Sequence, residues 1–308
     1  MRKLQNGYGL EIESLAAGEL PDRFPLLDRS LDEIVGATFS PRDGLVNPNA
    51  VRQRYRAEAE AAGVRFCNRH YAVGVETDRV AGSAGSLRRV AAVEAVELVK
   101  TSATGEDDAV RQILTRHRVP GALTTYEHRV ECGVLVNCLG AWSSILAAKI
   151  GIPDVSEPVR RQIALVDVHT EDLAEGVQLD EVGMIVDASG LYLHPEGSHI
   201  LAGYSTPDEA PGFDFHYDGE AFFADQIWPR LAHRMSSFER CGHVRGWAGL
   251  YAVTPDCSGI ADRVEGFSNL FEAHAFTGRG VMQSYAVGRA MAALITTGRY
   301  EDVDLSVL

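Results

Sequence analysis

The segment Ala275-Phe-Thr-Gly-Arg-Gly-Val-Met-Gln-Ser284 joins a strand-like stretch, Leu270 to His274, to an apolar helix-like stretch, Val281 to Ile295. Its two closely spaced glycines let the backbone approach a ligand, and a helix start offers unpaired N–H groups and the positive end of a dipole. Such a helix start favours a bound anion by about 0.3–1 kcal/mol. The pattern is typical of a loop that holds a phosphate or the electron-rich edge of a cofactor ring. It is equally typical of a tight turn that only begins a helix.

A second segment predicts a similar arrangement earlier in the chain. The apolar run Cys132-Gly-Val-Leu-Val-Asn137 is typical of a strand that is buried on both faces. Gly140-Ala-Trp-Ser143 follows it, and Ser143 is predicted to cap a helix that continues to about Ile150. A buried strand, a glycine turn and a helix form the usual platform for a nucleotide ligand.

Length and charge favour small-molecule chemistry. The chain has 308 residues, 45% of them hydrophobic, and its formal net charge is -14. This length can bury a large core and usually makes one or two domains. An acidic chain is a poor partner for a phosphate backbone, so nucleic-acid binding is not expected.

The cysteine, histidine and hydropathy patterns indicate which kinds of site and which cellular compartment to expect. The five cysteines form no CxxC pair and the ten histidines include no HExxH motif, so we expect neither a disulfide framework nor a metal site. No secretory signal and no run of 18 apolar residues is present. A soluble, cytoplasmic protein with no transmembrane segment is expected, or one of the mitochondrial matrix if the source is eukaryotic and an N-terminal part has been lost.

Composition shifts predict three parts. The first part, residues 1–152, is predicted to contain a helix followed by sheet strands, with an elaboration at 77–130. The second part, residues 153–246, is rich in antiparallel strands. The third part, residues 247–308, returns to a strand, a turn and a helix. A helical segment is predicted at about Gly219 to Arg234, within the middle part.

Local signals predict five elements in the first 100 residues. Ser30-Leu-Asp-Glu33 is similar to a capping box, and the apolar spacing from Asn49 predicts a helix that ends at Gly63. Short strands are predicted at Val64–Phe66 and Tyr71–Val75, and a longer one at Arg88 to Lys100.

Several segments together resemble one protein family. They are Val136-Asn-Cys-Leu-Gly-Ala-Trp-Ser143, Asp187-Ala-Ser-Gly-Leu-Tyr-Leu-His-Pro-Glu-Gly197, Gly246-Trp-Ala-Gly-Leu-Tyr-Ala-Val-Thr-Pro-Asp256 and the segment around Gly278. The family is that of the D-amino acid oxidase-like (DAO) FAD-dependent oxidoreductases, in the branch of glycine oxidase, sarcosine oxidase and dimethylglycine dehydrogenase. Ile227-Trp-Pro-Arg-Leu-Ala-His-Arg234 further resembles a mitochondrial subgroup linked to assembly of a respiratory complex.

The resemblance implies a fold and a set of site residues. The fold is α/β (α+β): a three-layer FAD/NAD(P)-binding domain that lacks its first βαβ unit, plus an antiparallel β-sheet substrate domain. Val73 matches a backbone contact to the adenine, and Gly140 matches one to the ribose and pyrophosphate. Tyr251 matches an aromatic residue beside the substrate, and Tyr192 is a second catalytic candidate for that cavity, although either also fits an ordinary strand aromatic. Backbone N–H groups to the flavin ring are implied for Gly278, Arg279, Gly280, Val281 and Met282.

Three departures from the family pattern affect the expected chemistry. Gly249 stands where sarcosine oxidases have the cysteine that links to flavin, so FAD is expected to be non-covalent. Met282 replaces a lysine that pairs with the substrate carboxylate. Arg279 replaces a histidine, and it either stabilises an anionic ring or points to solvent. His274 is interpreted as a buried histidine with its hydrogen bonds satisfied.

The resemblance implies oxidation of a C–N bond of a small amine or N-methyl amino acid, by hydride transfer to flavin N5. The electron acceptor would be oxygen or an electron-transfer protein. The family's N-terminal GxGxxG fingerprint is not found in these 308 residues, where Gly7-Tyr-Gly9 is the nearest approach. A second hypothesis is therefore a truncated, non-catalytic chain that acts as a binding or assembly module, for example for a respiratory complex.

Overall fold

Two groups of chain segments form separate units in the computed structural model, which describes residues 2–82, 85–98, 103–117, 119 and 124–306. The first unit comprises Met1–Val51, Arg161–Asp208 and Phe215–Gly249. The second unit comprises Arg52–Arg160, Glu209–Asp214 and Leu250–Leu308.

The described residues contain both helices and strands, in agreement with the expected mixed α/β class. The helices are α1 (Arg2–Gly7), α2 (Leu20–Arg23), α3 (Pro48–Ala61), α4 (Ala103–Arg116), α5 (Ser143–Ile150), α6 (Glu220–Phe222), α7 (Trp228–Arg234) and α8 (Gly280–Thr297). The strands are β1 (Glu13–Ala16), β2 (Gly36–Phe39), β3 (His70–Gly82), β4 (Gly85–Leu98), β5 (Thr124–Glu131), β6 (Leu135–Asn137), β7 (Glu157–Asp167), β8 (Ile185–Val186), β9 (Leu191–Glu196), β10 (His199–Tyr204), β11 (Gly242–Val253), β12 (Ile260–Arg263) and β13 (Leu270–His274). Among the helices described, none combines the length and the apolar character needed to cross a lipid bilayer.

A five-stranded sheet with the order β11-β7-β10-β9-β8 carries the core of the first unit. Its β7, β10 and β9 pair antiparallel, as the sequence predicts for this region, with Ala202 of β10 opposite Leu193 of β9. Alternation along these strands places Leu191, Leu193, Ile200 and Ala202 in one buried cluster, and each has no solvent exposure. Phe238 completes this core.

The predicted helix from Gly219 to Arg234 is confirmed, with one widened turn inside it. Helices α6 and α7 are joined by a π-helical turn at Phe223–Ile227, where the N–H of Trp228 donates to the Phe223 carbonyl. Pro229 follows directly and has no N–H to donate within the helix, so a local change of hydrogen-bond pattern is expected here.

The second unit contains a three-stranded sheet with the order β12-β13-β6. Strand β13 runs parallel to β6, with Phe271 opposite Val136. Helix α8 packs its buried Val287, Met291 and Leu294 into a cluster with Phe271. The predicted strand at 270–274 and the helix after it are confirmed.

Strands β3, β4 and β5 form a separate antiparallel sheet with the order β3-β4-β5, which includes residues of the elaboration predicted at 77–130 and extends back to His70. Strand β4 confirms the strand predicted from Arg88, while Val99 and Lys100 lie outside the described residues. Strand β3 begins at His70 and contains the predicted strand at Tyr71–Val75.

The strand predicted at Val64–Phe66 is wrong, because the end of α3 uses those residues differently. Gly63 adopts φ +93°, and the N–H of Val64 donates to the carbonyl of Ala59. This hydrogen bond closes the helix end and turns the chain, so the next residues have no strand partner. Helix α3 itself confirms the predicted helix, and none of its side chains is buried.

Both predicted serine caps are wrong. Ser30 adopts a left-handed backbone with φ 50°, makes no side-chain cap, and precedes only a short 3₁₀ turn at Leu31–Glu33. Ser143 is the first residue of α5 rather than its cap, a position that Trp142 occupies. The hydroxyl of Ser143 is buried and has no hydrogen-bond partner among the described residues.

Asn269 connects three segments of the second unit through its buried side chain. Its amide nitrogen donates to the carbonyls of Val90 and Gly133, each at 2.9 Å, and its oxygen accepts the N–H of Val90 at 2.8 Å. The side chain of Asn269, just before β13, thus makes the hydrogen bonds to Val90 that a neighbouring strand would otherwise make.

We expect Asn269→Ala to lower the free energy of unfolding by about 2–4 kcal/mol, because it leaves buried backbone groups without partners. Urea denaturation measures this change. Ser268→Ala is the matched control, because its hydroxyl makes only a 3.4 Å contact to the Arg88 carbonyl. Equal stability losses in the two variants would contradict the connecting role of Asn269.

Candidate functional site

The loop between β13 and α8 is built from unusual backbone conformations. Ala275, Thr277 and Gly278 have φ values of 61°, 46° and 80°. Left-handed conformations at residues with a Cβ cost of order 1–3 kcal/mol and are concentrated at functional sites. The N–H of Thr277 donates to the Ala252 carbonyl at 3.3 Å, so β11 helps to hold the loop in this shape.

Gly278 is required by the ring of Tyr251. A Cβ atom at position 278 would lie 2.4 Å from Cε2 of Tyr251, closer than any carbon contact allows. Tyr251 is half-buried on β11, so the loop backbone lies directly against this ring. The structure therefore brings the predicted Tyr251 and the predicted loop together.

The start of α8 presents backbone donors beside exposed apolar side chains. The first turn of a helix leaves its N–H groups without intrahelical acceptors, here those of Gly280, Val281 and Met282. The side chains of Val281 and Met282 are 52% and 75% exposed. N–H donors, a positive helix end and an apolar surface fit the ring of a flavin.

A shallow cleft next to this helix start contains Arg279 and Gln283. The guanidinium of Arg279 donates to the Cys257 carbonyl at 2.9 Å, so it is held by the neighbouring turn. The Oε1 atom of Gln283 is buried and has no hydrogen-bond partner among the described residues. Such an acceptor suits the hydroxyl or N–H donors that a flavin cofactor carries.

The turn after β6 lies at the same sheet edge as the loop after β13. Because β6 and β13 are parallel, their carboxyl ends meet there, and Ala141 and Ala275 pack in one buried cluster with Trp142 beside them. Gly140 has φ +56°, and a Cβ there would meet no atom within 4 Å, so the turn has open space.

Val73 lies in the other sheet of the second unit, at a bulge of β3. Its carbonyl accepts a hydrogen bond from Lys149 Nζ at 2.9 Å. The backbone of Val73, which is predicted to contact an adenine, thus has its carbonyl paired with a lysine.

Tyr192 belongs to the first unit, where it packs across the sheet. It lies opposite Gly203, and a Cβ at position 203 would be 2.3 Å from Cζ of the tyrosine ring. This contact gives Tyr192 a structural reason to be aromatic, and its role beside a substrate stays a prediction.

His274 is buried as expected, but its hydrogen bonds are not satisfied. Neither ring nitrogen has a hydrogen-bond partner among the described residues. Nε2 lies 3.9 Å from a carboxylate oxygen of both Asp154 and Glu272, and all three side chains are largely buried. Asp154 is distant in sequence from Glu272 and His274, so no local pattern predicts this cluster.

A hydrogen-bonded chain in the first unit was not predicted from the sequence. The hydroxyl of Tyr217 lies 2.8 Å from His243 Nε2, and His243 Nδ1 lies 3.0 Å from Glu220 Oε2. Gly246 leaves room for the ring of Tyr217, because a Cβ at position 246 would lie 2.1 Å from that ring. Burial, followed by the charges of Glu220 and Asp218, raises the pKa of Tyr217 to about 12.

A parallel strand pair that leads into a glycine turn and a helix start is typical of α/β proteins that bind a nucleotide cofactor. The sequence matches the model of the FAD dependent oxidoreductase family, DAO, over residues 1–294, and the chain belongs to this family. The cofactor of the family is FAD.

Individual relatives agree with this assignment. The FAD-dependent oxidoreductase domain-containing protein 1 of Xenopus laevis is 35% identical over 322 residues, which cover 98% of this chain and 58% of the relative. Monomeric sarcosine oxidase of Bacillus sp. (strain NS-129) is 23% identical over 315 residues, 98% of this chain and 68% of the relative. The crystal structure of L-proline dehydrogenase from P. horikoshii has a TM-score of 0.73 at 20% identity, covering 97% of this chain and 68% of that one. The chain spans 58–60% of the length of the vertebrate relatives.

We expect Gly278→Ala to lower the free energy of unfolding by at least about 1–2 kcal/mol, from the left-handed backbone alone. The contact with Tyr251 adds to this cost, so Tyr251→Ala should relieve part of it in the double variant. Urea denaturation of the four chains measures both effects. Gly288→Ala is the control, because a Cβ inside α8 meets no atom within 4 Å and is expected to stabilise the helix. A cost no larger in Gly278→Ala than in this control would contradict the packing described.

Tyr217 should make stability fall in alkaline solution. A tyrosine in the unfolded chain ionises near pH 10, whereas the pKa of Tyr217 in the folded chain is about 12. Between these values the unfolded state loses the proton first, so stability falls as the pH rises. The stability of Tyr217→Phe should therefore fall less between pH 8 and pH 11. An equally steep fall in both chains would contradict the raised pKa.

Proposed function

We propose that this chain forms the flavin-ring and substrate side of an FAD-dependent oxidoreductase that oxidises a C–N bond of a small amine or N-methyl amino acid. The observation that carries the proposal is the start of α8, where N–H donors, exposed apolar side chains and Tyr251 adjoin one loop. Family membership and the similarity to sarcosine oxidase support it. When bound, FAD supplies a hydride acceptor at N5 and carries the electrons onward.

The protein's part is positioning and electrostatic stabilisation. The N–H groups of Gly280, Val281 and Met282 would hold the electron-rich edge of the ring, where the positive end of the helix also acts. Tyr251 is fixed by its contact with Gly278, so its ring would form a rigid wall of the substrate pocket. No side-chain base is needed if the amine binds in its neutral form.

Two residues restrict the cofactor linkage and the substrate. Gly249 carries no nucleophile, which supports non-covalent FAD. Met282 carries no charge and is 75% exposed, so a substrate carboxylate would find no cation at this position. The proposal therefore includes uncharged small amines as well as N-methyl amino acids, and it takes oxygen or an electron-transfer protein as the acceptor.

The cysteines support a reducing compartment as part of the proposal. All five are free, and three of them, Cys67, Cys138 and Cys257, are exposed. The cytoplasm or the mitochondrial matrix would keep these thiols reduced.

Met282→Glu tests where the ring lies. A carboxylate in the first turn of α8 favours the helix but repels an electron-rich ring, so stability should be unchanged or slightly raised. FAD affinity should fall at least about fivefold, from a repulsion of about 1 kcal/mol. A flavin fluorescence titration of the chain measures the affinity.

Ser284→Glu is the matched control, because it adds the same charge at an exposed position of the next helical turn. Equal FAD affinity in the two variants would contradict the proposed ring position. A wild-type chain that takes up no FAD would favour the binding or assembly module instead. With FAD bound, release of hydrogen peroxide from N-methyl amino acids would distinguish an oxidase from a dehydrogenase.

A further inference from the structure

Three side chains of the β3-β4-β5 sheet point to one side of it. His70 of β3 lies directly opposite Glu97 of β4. His128 of β5 lies opposite Ala95, which is two residues from Glu97 along the same strand. Since side chains two apart in a strand share a face, the sheet brings two imidazoles and one carboxylate together on neighbouring strands.

The donor atoms of these residues are close enough to share one ion. One ligand atom from each residue lies within 4.8 Å of the other two. His128 Nε2 is 3.7 Å from Glu97 Oε2, and the two imidazole centroids are 4.9 Å apart. Donors around a tetrahedral zinc ion lie about 3.3 Å apart, from bond lengths near 2.0–2.1 Å. Small side-chain rotations would close the remaining difference.

The hydrogen bond of His70 prepares it as a ligand. Its Nδ1 lies 2.8 Å from the carbonyl oxygen of Asn68. A carbonyl only accepts, so Nδ1 carries the proton and Nε2 of the neutral ring keeps its lone pair. Histidine ligands are usually oriented by such a hydrogen bond from their other nitrogen to a backbone carbonyl.

We propose that His70, Glu97 and His128 form a binding site for a divalent transition-metal ion of the zinc class. Two imidazole nitrogens and a carboxylate oxygen suit zinc, whereas magnesium prefers oxygen ligands alone. All three residues are half-buried, so water can reach the fourth coordination position. A bound ion would cross-link three adjacent strands and stabilise the β3-β4-β5 sheet.

Titration of a tag-free, chelator-treated chain with Zn²⁺ and with Co²⁺ tests the proposal. Calorimetry should show one ion bound per chain, and Co²⁺ should show the visible absorption of nitrogen and oxygen ligation. His70→Ala, His128→Ala and Glu97→Gln should each weaken binding by at least about tenfold. Glu97→Gln preserves the size of the side chain, so weaker binding in this variant is not explained by misfolding. Zn²⁺ should also raise the unfolding temperature of the wild-type chain but not of His128→Ala.

Two controls separate this site from other surface ligands. His233 lies 2.7 Å from Glu33 and pairs one exposed histidine with one carboxylate, so His233→Ala should leave the affinity unchanged. Cys67→Ser tests the exposed thiol near His70 in the sequence and should also bind normally. Wild-type affinity in His70→Ala and His128→Ala would overturn the proposal, as would the absence of one-to-one Zn²⁺ binding to the wild-type chain. No flavin is needed in these measurements, so they are independent of the proposed oxidoreductase function.

Discussion

The buried amide of Asn269 is the contact on which the arrangement of the second unit depends. It satisfies both backbone groups of Val90 and the carbonyl of Gly133, so β4, the approach to β6 and the start of β13 are held at one point. The direction of β13 in turn fixes where the chain enters the loop at Ala275. A single side chain at the opposite end of β13 from the loop thus helps to fix where the N–H donors of α8 are presented.

Missing side chains shape the chain as much as present ones do. Gly278 admits the ring of Tyr251, Gly203 admits Tyr192, and Gly246 admits Tyr217. In each case an aromatic ring occupies the volume that a Cβ would need, so the glycine and the tyrosine constrain each other. A glycine that suggests a flexible backbone in the sequence therefore packs tightly against an aromatic ring in the folded chain.

The sequence predicts best those parts in which local pattern and tertiary packing agree. Strand patterns predicted the antiparallel region around Ala202, and an apolar stretch predicted α8. The strand predicted at Val64–Phe66 failed because the helix end at Gly63 turns the chain away from any partner. His70 meets Glu97 because of the strand register, and Tyr217 meets His243 because distant segments pack together. No local sequence pattern contains either kind of information. The loop at Gly278 was predicted because its glycines and the following helix stand together in the sequence.

Helix α3 is expected to unfold locally before the rest of the chain. None of its side chains is buried, and its ion pairs, Arg54 with Glu58 and Arg56 with Glu60, place the cation nearer the helix N-terminus, the less favourable order. A 14-residue helix without a packed face is only marginally stable by itself. Its amide hydrogens should therefore exchange through local opening, well before the sheets unfold. Arginines in such an opening helix are the natural first sites for a trypsin-like protease.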